Sequence, residues 1–153
     1  MMTLTPKEAS ILKDLKSQEE LCIEKYGKYE EAACDPALKS LFNEIKTAEV
    51  SHLDTINRIL NGEEVAMPKT PKSAAEAKYN GAPSSCSVAD KNNDAYLCKD
   101  ALSMEKHVSG VYNTGVFEFN STTLRDTLAH IQKEEQDHGE KLYSYLSTSG
   151  MYN

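Results

Sequence analysis

Several features that would assign this sequence to common functional classes are missing. Its apolar runs are only a few residues long, and its first ten residues, MMTLTPKEAS, contain no basic segment followed by an apolar one. We therefore expect neither a membrane span nor a secretory signal, and an intracellular, cytoplasmic protein. Basic residues are also few, since 17 Lys and Arg against 24 Asp and Glu give a formal charge of −7. Because phosphate binding requires clustered Lys and Arg, this balance argues against nucleic acid as a partner.

The four cysteines contain no C-x-x-C pair, which excludes a zinc ribbon and a rubredoxin-type iron site. With 153 residues, of which 39% are hydrophobic, the chain has the size of a single globular domain, 1–153, with a sizeable core.

Helix signals are strong at both ends of the sequence. Thr5-Pro6-Lys7-Glu8 combines an N-cap, a proline at the first helical position and a capping-box glutamate, while Asp35-Pro36 ends one helix and starts the next. Apolar residues follow each start at alternating steps of three and four, and Asn61-Gly62 ends the second helix. This pattern predicts a helical hairpin over 5–60, and a similar pattern around the junction Asn120-Ser121-Thr122 predicts another over 94–147.

The connection between the hairpins, residues 61–93, has a different composition. It carries Pro68, Pro71, Pro83 and Gly81 and has no regular core-facing pattern. Such a length is unusual inside a domain unless helices two and three run parallel, because the chain must then travel back along a helix of roughly 37 Å. The sequence thus predicts an all-α four-helix bundle, with two hairpins joined by a long crossover between helices 2 and 3.

The second hairpin repeats the first after a shift of 86 residues, which places Tyr26 on Tyr112 and Ile45 on Ile131. The same shift relates the only charged or imidazole residues on the four predicted apolar faces. These pairs are Glu19 and Glu105, Glu49 and Glu135, and His52 and His138.

Positions counted from the hairpin turns predict that the carboxylates share a layer. Glu19 lies 16 residues before Asp35 and Glu49 lies 14 residues after it, so their heights differ by about 3 Å. Glu105 and Glu135 have the same spacing from Ser121. If the hairpins pair around a twofold axis, four carboxylates and two imidazoles converge in the core.

The negative charge of such a cluster must be neutralised, because moving even one ion out of water costs several kcal/mol. Two divalent cations supply the four positive charges. Glutamate from two helices and Glu-x-x-His from the other two is the ligand set of di-iron and di-manganese carboxylate bundles, and hard oxygen with imidazole nitrogen suits iron or manganese better than tetrahedral zinc. The sequence predicts two iron or manganese ions, with a metal-free relic of such a site as the alternative.

Two stretches of the chain resemble the spore coat protein F-like, rubrerythrin-like branch of the ferritin-like superfamily. They read LKDLKSQEELCIEKYGKYEEAACDPALKSLFNEI and DALSMEKHVSGVYNTGVFEFNSTTLRDTLAHIQKEEQDHGEKLYSYL. The resemblance covers nearly everything except 61–93. It implies that Glu19 and Glu105 are terminal carboxylates and that Glu49 and Glu135 bridge the metals. It also implies that His52 and His138 each bind one metal.

The resemblance also implies a function. Proteins of this superfamily react such centres with O2 or hydrogen peroxide, so an oxidoreductase is expected, of a peroxidase-, oxidase- or catalase-like type. Rubrerythrins have a C-terminal rubredoxin domain that is absent from this sequence, so a redox cycle would need an external electron donor or be self-contained, as in a catalase. The alternative is a structural spore coat or coat-associated protein with a structural metal site, located in the spore coat and bound to other coat proteins or to a second copy of itself.

Residues near the predicted site have weaker signals. In rubrerythrin-like proteins, tyrosines placed like Tyr26 and Tyr112 hydrogen-bond a ligand carboxylate, and the alternative for each is an ordinary core tyrosine. His130 and Glu134 fall off the apolar faces and are interpreted as solvated surface.

The cysteines have separate interpretations. Cys22 is interpreted as small apolar filler, and the alternative is a thiol one turn from Glu19 that senses oxidant at the site. Cys34, Cys86 and Cys98 are expected towards one end of the bundle, where a disulfide or crosslink among them is an open hypothesis.

Overall fold

The computed structural model describes residues 3–65 and 85–152, and within these ranges the chain is all-helical, without a strand. The four helices are α1 (Pro6–Ala32), α2 (Pro36–Leu60), α3 (Val88–Glu118) and α4 (Thr122–Thr148). The predicted all-α, four-helix architecture is therefore confirmed. Among the described residues, no helix contains an apolar stretch that could span a membrane. The central part of the predicted crossover, 66–84, lies outside the described residues.

Local capping explains where the helices begin. Thr5 accepts a hydrogen bond from the Glu8 amide, and the Glu8 carboxylate accepts one from the Thr5 amide, so the predicted capping box is present. Asp35 caps α2 and Ser121 caps α4, as the sequence indicated. Gly62 follows α2 with φ of 88°, a conformation that favours glycine and stops the helix.

The predicted crossover is too long at its C-terminal end, because α3 begins at Val88 and not at residue 94. Ser87 and Asp90 form a second capping box there. The first turns of α3, which include the polar residues 90–93, contribute little to the apolar core, so the periodicity of apolar residues gave no signal for them.

Cross-helix contacts fix the directions of the helices. α1 and α2 are joined by three residues and run antiparallel. Tyr26 contacts Glu105 and Tyr112 contacts Glu19, so α1 and α3 are also antiparallel. It follows that α2 and α3 are parallel, so the end of α2 and the start of α3 lie at opposite ends of the bundle.

One buried carboxylate from each hairpin accepts hydrogen bonds from the turn of the other hairpin. Asp94 on α3 accepts hydrogen bonds from the amides of Cys34 and Asp35, at 2.8 and 3.0 Å. Glu8 on α1 accepts one from the Asn120 amide at 3.2 Å. Asp94 and Glu8 are themselves 86 residues apart, so the sequence repeat is also a repeat of contacts. The sequence pattern did not indicate this pair, because the predicted apolar faces begin one turn further along each helix.

A disulfide joins Cys34, at the α1–α2 turn, to Cys86, just before α3, and the two Cα atoms are 6.1 Å apart. This is the crosslink that the sequence left open. Cys98 stays a free, buried thiol whose Sγ lies 3.5 Å from the Leu142 carbonyl oxygen, and Cys22 is also free and buried.

Candidate metal centre

All six residues predicted from the repeat meet in the middle of the bundle, with α1, α2, α3 and α4 each contributing. Their exposed fractions are at most 6%. The helices place them on inward faces because Glu and His three residues apart occupy the same side of a helix. The residues are Glu19, Glu49, His52, Glu105, Glu135 and His138.

The six side chains form two overlapping groups, and within each group one donor atom per residue lies within 4.8 Å of the others. Two carboxylates, Glu49 and Glu135, belong to both groups. Glu19 and His52 complete one group, and Glu105 and His138 complete the other. The arrangement has the twofold symmetry of the sequence repeat, with the shared carboxylates in the middle.

Most buried polar atoms without a hydrogen bond are concentrated here. Among the described residues, seven of the eight such side-chain atoms belong to these six residues; the other is Ser149 Oγ. Native proteins leave few buried polar groups unpaired, since each costs about 1–3 kcal/mol. These seven atoms are both oxygens of Glu49, one oxygen each of Glu19, Glu105 and Glu135, Nε2 of His52 and Nδ1 of His138.

Both imidazoles present Nδ1 to the carboxylates. Nδ1 of His52 lies 2.9 Å from Glu135 Oε1 and 3.5 Å from Glu49 Oε2. Nδ1 of His138 lies 3.1 Å from Glu49 Oε1 and 3.6 Å from Glu105 Oε1. The two rings are stacked, with centroids 6.0 Å apart. Six donors of this kind, four carboxylates and two imidazoles around one small volume, can bind divalent metal ions.

Without metal, the pKa values of Glu19, Glu49 and Glu105 are shifted away from the ordinary range of a carboxyl group. Burial, followed by contact with Glu49, raises the pKa of Glu19 to about 11. Burial also raises the pKa of Glu105 well above its usual value, and contact with Glu135 adds to this shift. Burial would raise the pKa of Glu49 as well, but its contacts with Glu19 and both histidines outweigh burial and lower it. Protons therefore occupy part of the cluster at neutral pH.

The two imidazoles also hold protons. Burial alone would lower the pKa of His52, but the surrounding carboxylates, first Glu134 and then Glu135, outweigh it and raise the pKa well above 6.5. The pKa of His138 is raised in the same way, against burial, by contacts that begin with Glu105. The metal-free cluster balances its charge with protons that a pair of cations would replace.

Each tyrosine near the site bonds a carboxylate of the other hairpin. The Tyr26 hydroxyl donates to Glu105 Oε1 and the Tyr112 hydroxyl donates to Glu19 Oε1, both at 2.5 Å. Both tyrosines thus donate to one of the carboxylates for which the resemblance implied such a bond, and the binding of metal by these carboxylates stays a prediction. Because both are fully buried, they fix the orientation of the two carboxylates that each belong to one group only.

The interpretation of Glu134 and His130 as solvated surface is wrong. Glu134 Oε2 lies 3.4 Å from Nε2 of His52, and its other oxygen lies 2.8 Å from Nε2 of His130. The Glu134 side chain is 33% exposed and that of His130 is 19% exposed. The 86-residue shift gave no signal, because Ala48 stands where Glu134 would be repeated. His52 thus has the carboxylate of Glu134 next to Nε2. His138, its counterpart in the repeat, has only the methyl group of Ala48 at the corresponding sequence position.

Comparison with known proteins gives a family match in the C-terminal part of the chain. Residues 93–153 match the family model of the Coat F domain. No curated protein and no solved structure matches the chain. The matched region contains most of α3, all of α4 and one copy of the repeat. It confirms the predicted resemblance to spore coat protein F and supports the spore coat as the location, while membership of the ferritin-like superfamily stays a prediction. Residues 93–153 of this chain are therefore similar to the Coat F domain.

Proposed function

We propose that this chain is a spore coat protein whose four-helix bundle is stabilised by two buried divalent cations, iron or manganese. The observation that carries the proposal is the concentration, in six residues at the middle of the bundle, of buried polar atoms that have no hydrogen bond. A cluster of this kind costs folding free energy when it is left without a counterion.

The residues present fit a pair of metal ions. Glu19 and His52 would hold one ion, Glu105 and His138 the other, and Glu49 and Glu135 would reach both. The tyrosine hydroxyls would keep the two terminal carboxylates oriented, and Glu134 would face the remote nitrogen of His52. Iron or manganese bound there would supply Lewis acidity and, with an oxidant, redox chemistry.

The disulfide supports a location in the coat. Structural disulfides persist in oxidising environments and are rare in the cytosol. The Cys34–Cys86 bond connects the α1–α2 turn to the residues just before α3. It therefore crosslinks the same end of the bundle at which Asp94 of α3 binds the amide of Cys34. A coat layer outside the cytosol fits this bond better than the cytoplasmic location that the composition predicted. Other coat proteins would be its partners.

A second candidate function is oxidation or reduction at the same centre, with O2 or hydrogen peroxide as substrate. One observation favours it, namely a cavity of about 510 Å³ that is lined by Glu105 and Glu135 and by exposed residues such as Tyr143. A purely structural ion pair has no need of a pocket that reaches its ligands.

Metal content and thermal stability of matched variants test the proposal. Glu135→Ala removes a carboxylate that belongs to both groups, so we expect loss of both ions. Glu20→Ala, at an exposed position next to Glu19, should keep two ions per chain. A ligand present at about 1,000 times its Kd stabilises by roughly 4 kcal/mol, which for a chain of this size raises Tm by about 10 °C. That increase should appear in the wild type and Glu20→Ala and be absent from Glu135→Ala.

Peroxide and O2 consumption by the loaded wild type separates the two candidates. Two ions with the Tm increase and no turnover support the structural function, and turnover that disappears in Glu135→Ala supports the redox function. Equal metal content in wild type and Glu135→Ala would contradict both.

A further inference from the structure

The cavity beside the site lies between α3 and α4. Its lining includes two carboxylates of the site, Glu105 and Glu135, whereas neither Glu19 nor His52 lines it. The exposed side chains of Tyr143 and Tyr152, whose ring centroids are 5.1 Å apart, form part of its outer wall. The cavity therefore runs from the surface of the bundle to Glu105, which belongs to one group of donors only, and to Glu135, which the two groups share.

A glycine keeps this cavity open. Gly139 lies on α4, one turn after Glu135, and lines the cavity. A Cβ atom at this position would lie 3.7 Å from Leu102 Cδ1, which is an ordinary contact. Alanine therefore fits, but a longer side chain has to extend into the space between Gly139 and Leu102.

The other half of the repeat does not have this glycine. The 86-residue shift places Leu53 opposite Gly139, and it places Val50 and Asn57 opposite two further lining residues, Gln136 and Tyr143. The pairs of site residues are conserved between the halves of the chain, but the cavity lining is not. The six donor residues thus follow the twofold repeat, but the residues that line the cavity between α3 and α4 do not.

A second asymmetry adds to the first. His52 has Glu134 behind it, 3.4 Å from Nε2, and the repeat places Ala48 at the corresponding position for His138. His52 in one group has an additional carboxylate beside it, and Glu105 in the other group lines a cavity.

From these two asymmetries we propose that the two metal positions are inequivalent, and that this cavity admits a small oxygen- or nitrogen-donor ligand to the Glu105–His138 position only. The inference rests on the proposed metal site and adds which ion a ligand reaches. Gly139 sets the width of the route, and hydrogen peroxide is a molecule of the size and donor type that the route admits.

Azide binding to the cobalt(II)-loaded protein tests this inference by visible absorption, independently of turnover. The wild type should bind two cobalt ions and one azide. Gly139→Leu should keep both cobalt ions and lose the azide-dependent absorption change. Gly139→Ala should keep it, because its Cβ makes only an ordinary contact. Gly110→Leu is the matched control, since nothing lies within 4 Å of a Cβ at that helical glycine.

The outcomes are distinct. Unchanged azide binding in Gly139→Leu, or two azides per centre in the wild type, would overturn the inference and leave the metal site intact. If the wild type binds no cobalt, the proposed function fails together with the inference. Should Gly139→Leu lose cobalt, Ser109→Leu decides the question, because it fills the same cavity from α3 and carries the same expectation.

Discussion

Metal binding should displace about four protons from the protein at neutral pH. The pKa of Glu19 is raised to about 11, and that of Glu105 well above its usual value, mainly by burial. The pKa values of His52 and His138 are raised well above 6.5 by the carboxylates around them. All four groups therefore hold a proton in the metal-free protein between pH 6 and 7, and all four must lose it to bind a metal.

The size of the effect follows from this count. Four protons carry the same charge as two divalent cations, so the exchange leaves the net charge of the core unchanged. Each proton released makes the overall binding constant rise about tenfold per pH unit, so four protons give up to roughly 10⁴ per unit for the two ions together.

Titration calorimetry with manganese(II), in two buffers of different ionisation enthalpy, measures the number of protons directly. We expect about four per two ions at pH 6.5, and the same number from the pH dependence of the overall binding constant. Release of fewer than one proton, with an affinity that does not change between pH 6 and 7, would refute the assignment of protons to the cluster. Glu20→Ala, which alters an exposed carboxylate, should give the wild-type number.

Three further predictions concern the same structure. Glu134→Ala should lower the affinity for one of the two ions by about 10–100-fold and leave the other unchanged, as measured by a two-site metal titration, because it removes the carboxylate behind His52; equal weakening of both ions would contradict this. The free energy of unfolding of the metal-free protein, measured with urea, should fall as pH rises from 5 to 9. The expected loss is about 1.4 kcal/mol per pH unit for each extra proton that the folded state holds. The raised pKa of Glu19 is one cause, because its contribution to stability is complete below pH 4.5 and is lost as pH rises towards 11. A stability that rises over that range would show that the cluster is not protonated. Replacing Cys34 by serine should cost up to about 4 kcal/mol of unfolding free energy, estimated for the 52-residue separation, and the loss should match that caused by a reducing agent acting on the wild type; a reducing agent without effect on the wild type would refute the bond.

The centre of the bundle was predictable because its signals are local and repeated. Helix starts at Thr5 and Asp35 depend on capping residues next to each other in sequence, and the structure confirms both. The six donors were visible because Glu and His interrupt otherwise apolar faces, and because one shift of 86 residues relates them.

Features that depend on three-dimensional contacts were not predictable in the same way. Glu134 lies off the apolar face of its own helix, and only the packing of α4 against α2 brings it to His52. The start of α3 was missed for a different reason: its capping box, Ser87 and Asp90, is a local signal, but exposed residues without apolar spacing follow it. The cavity beside Gly139 results from a missing side chain, and Leu102 of the neighbouring helix forms part of its lining.

Metal analysis of the wild-type protein after reconstitution with iron or manganese tests the central claim most directly. The protein is separated from unbound metal and its metal content is measured per chain. We predict two ions per chain, held by the six residues at the middle of the bundle. Less than one ion per chain would contradict the proposed centre and everything that rests on it.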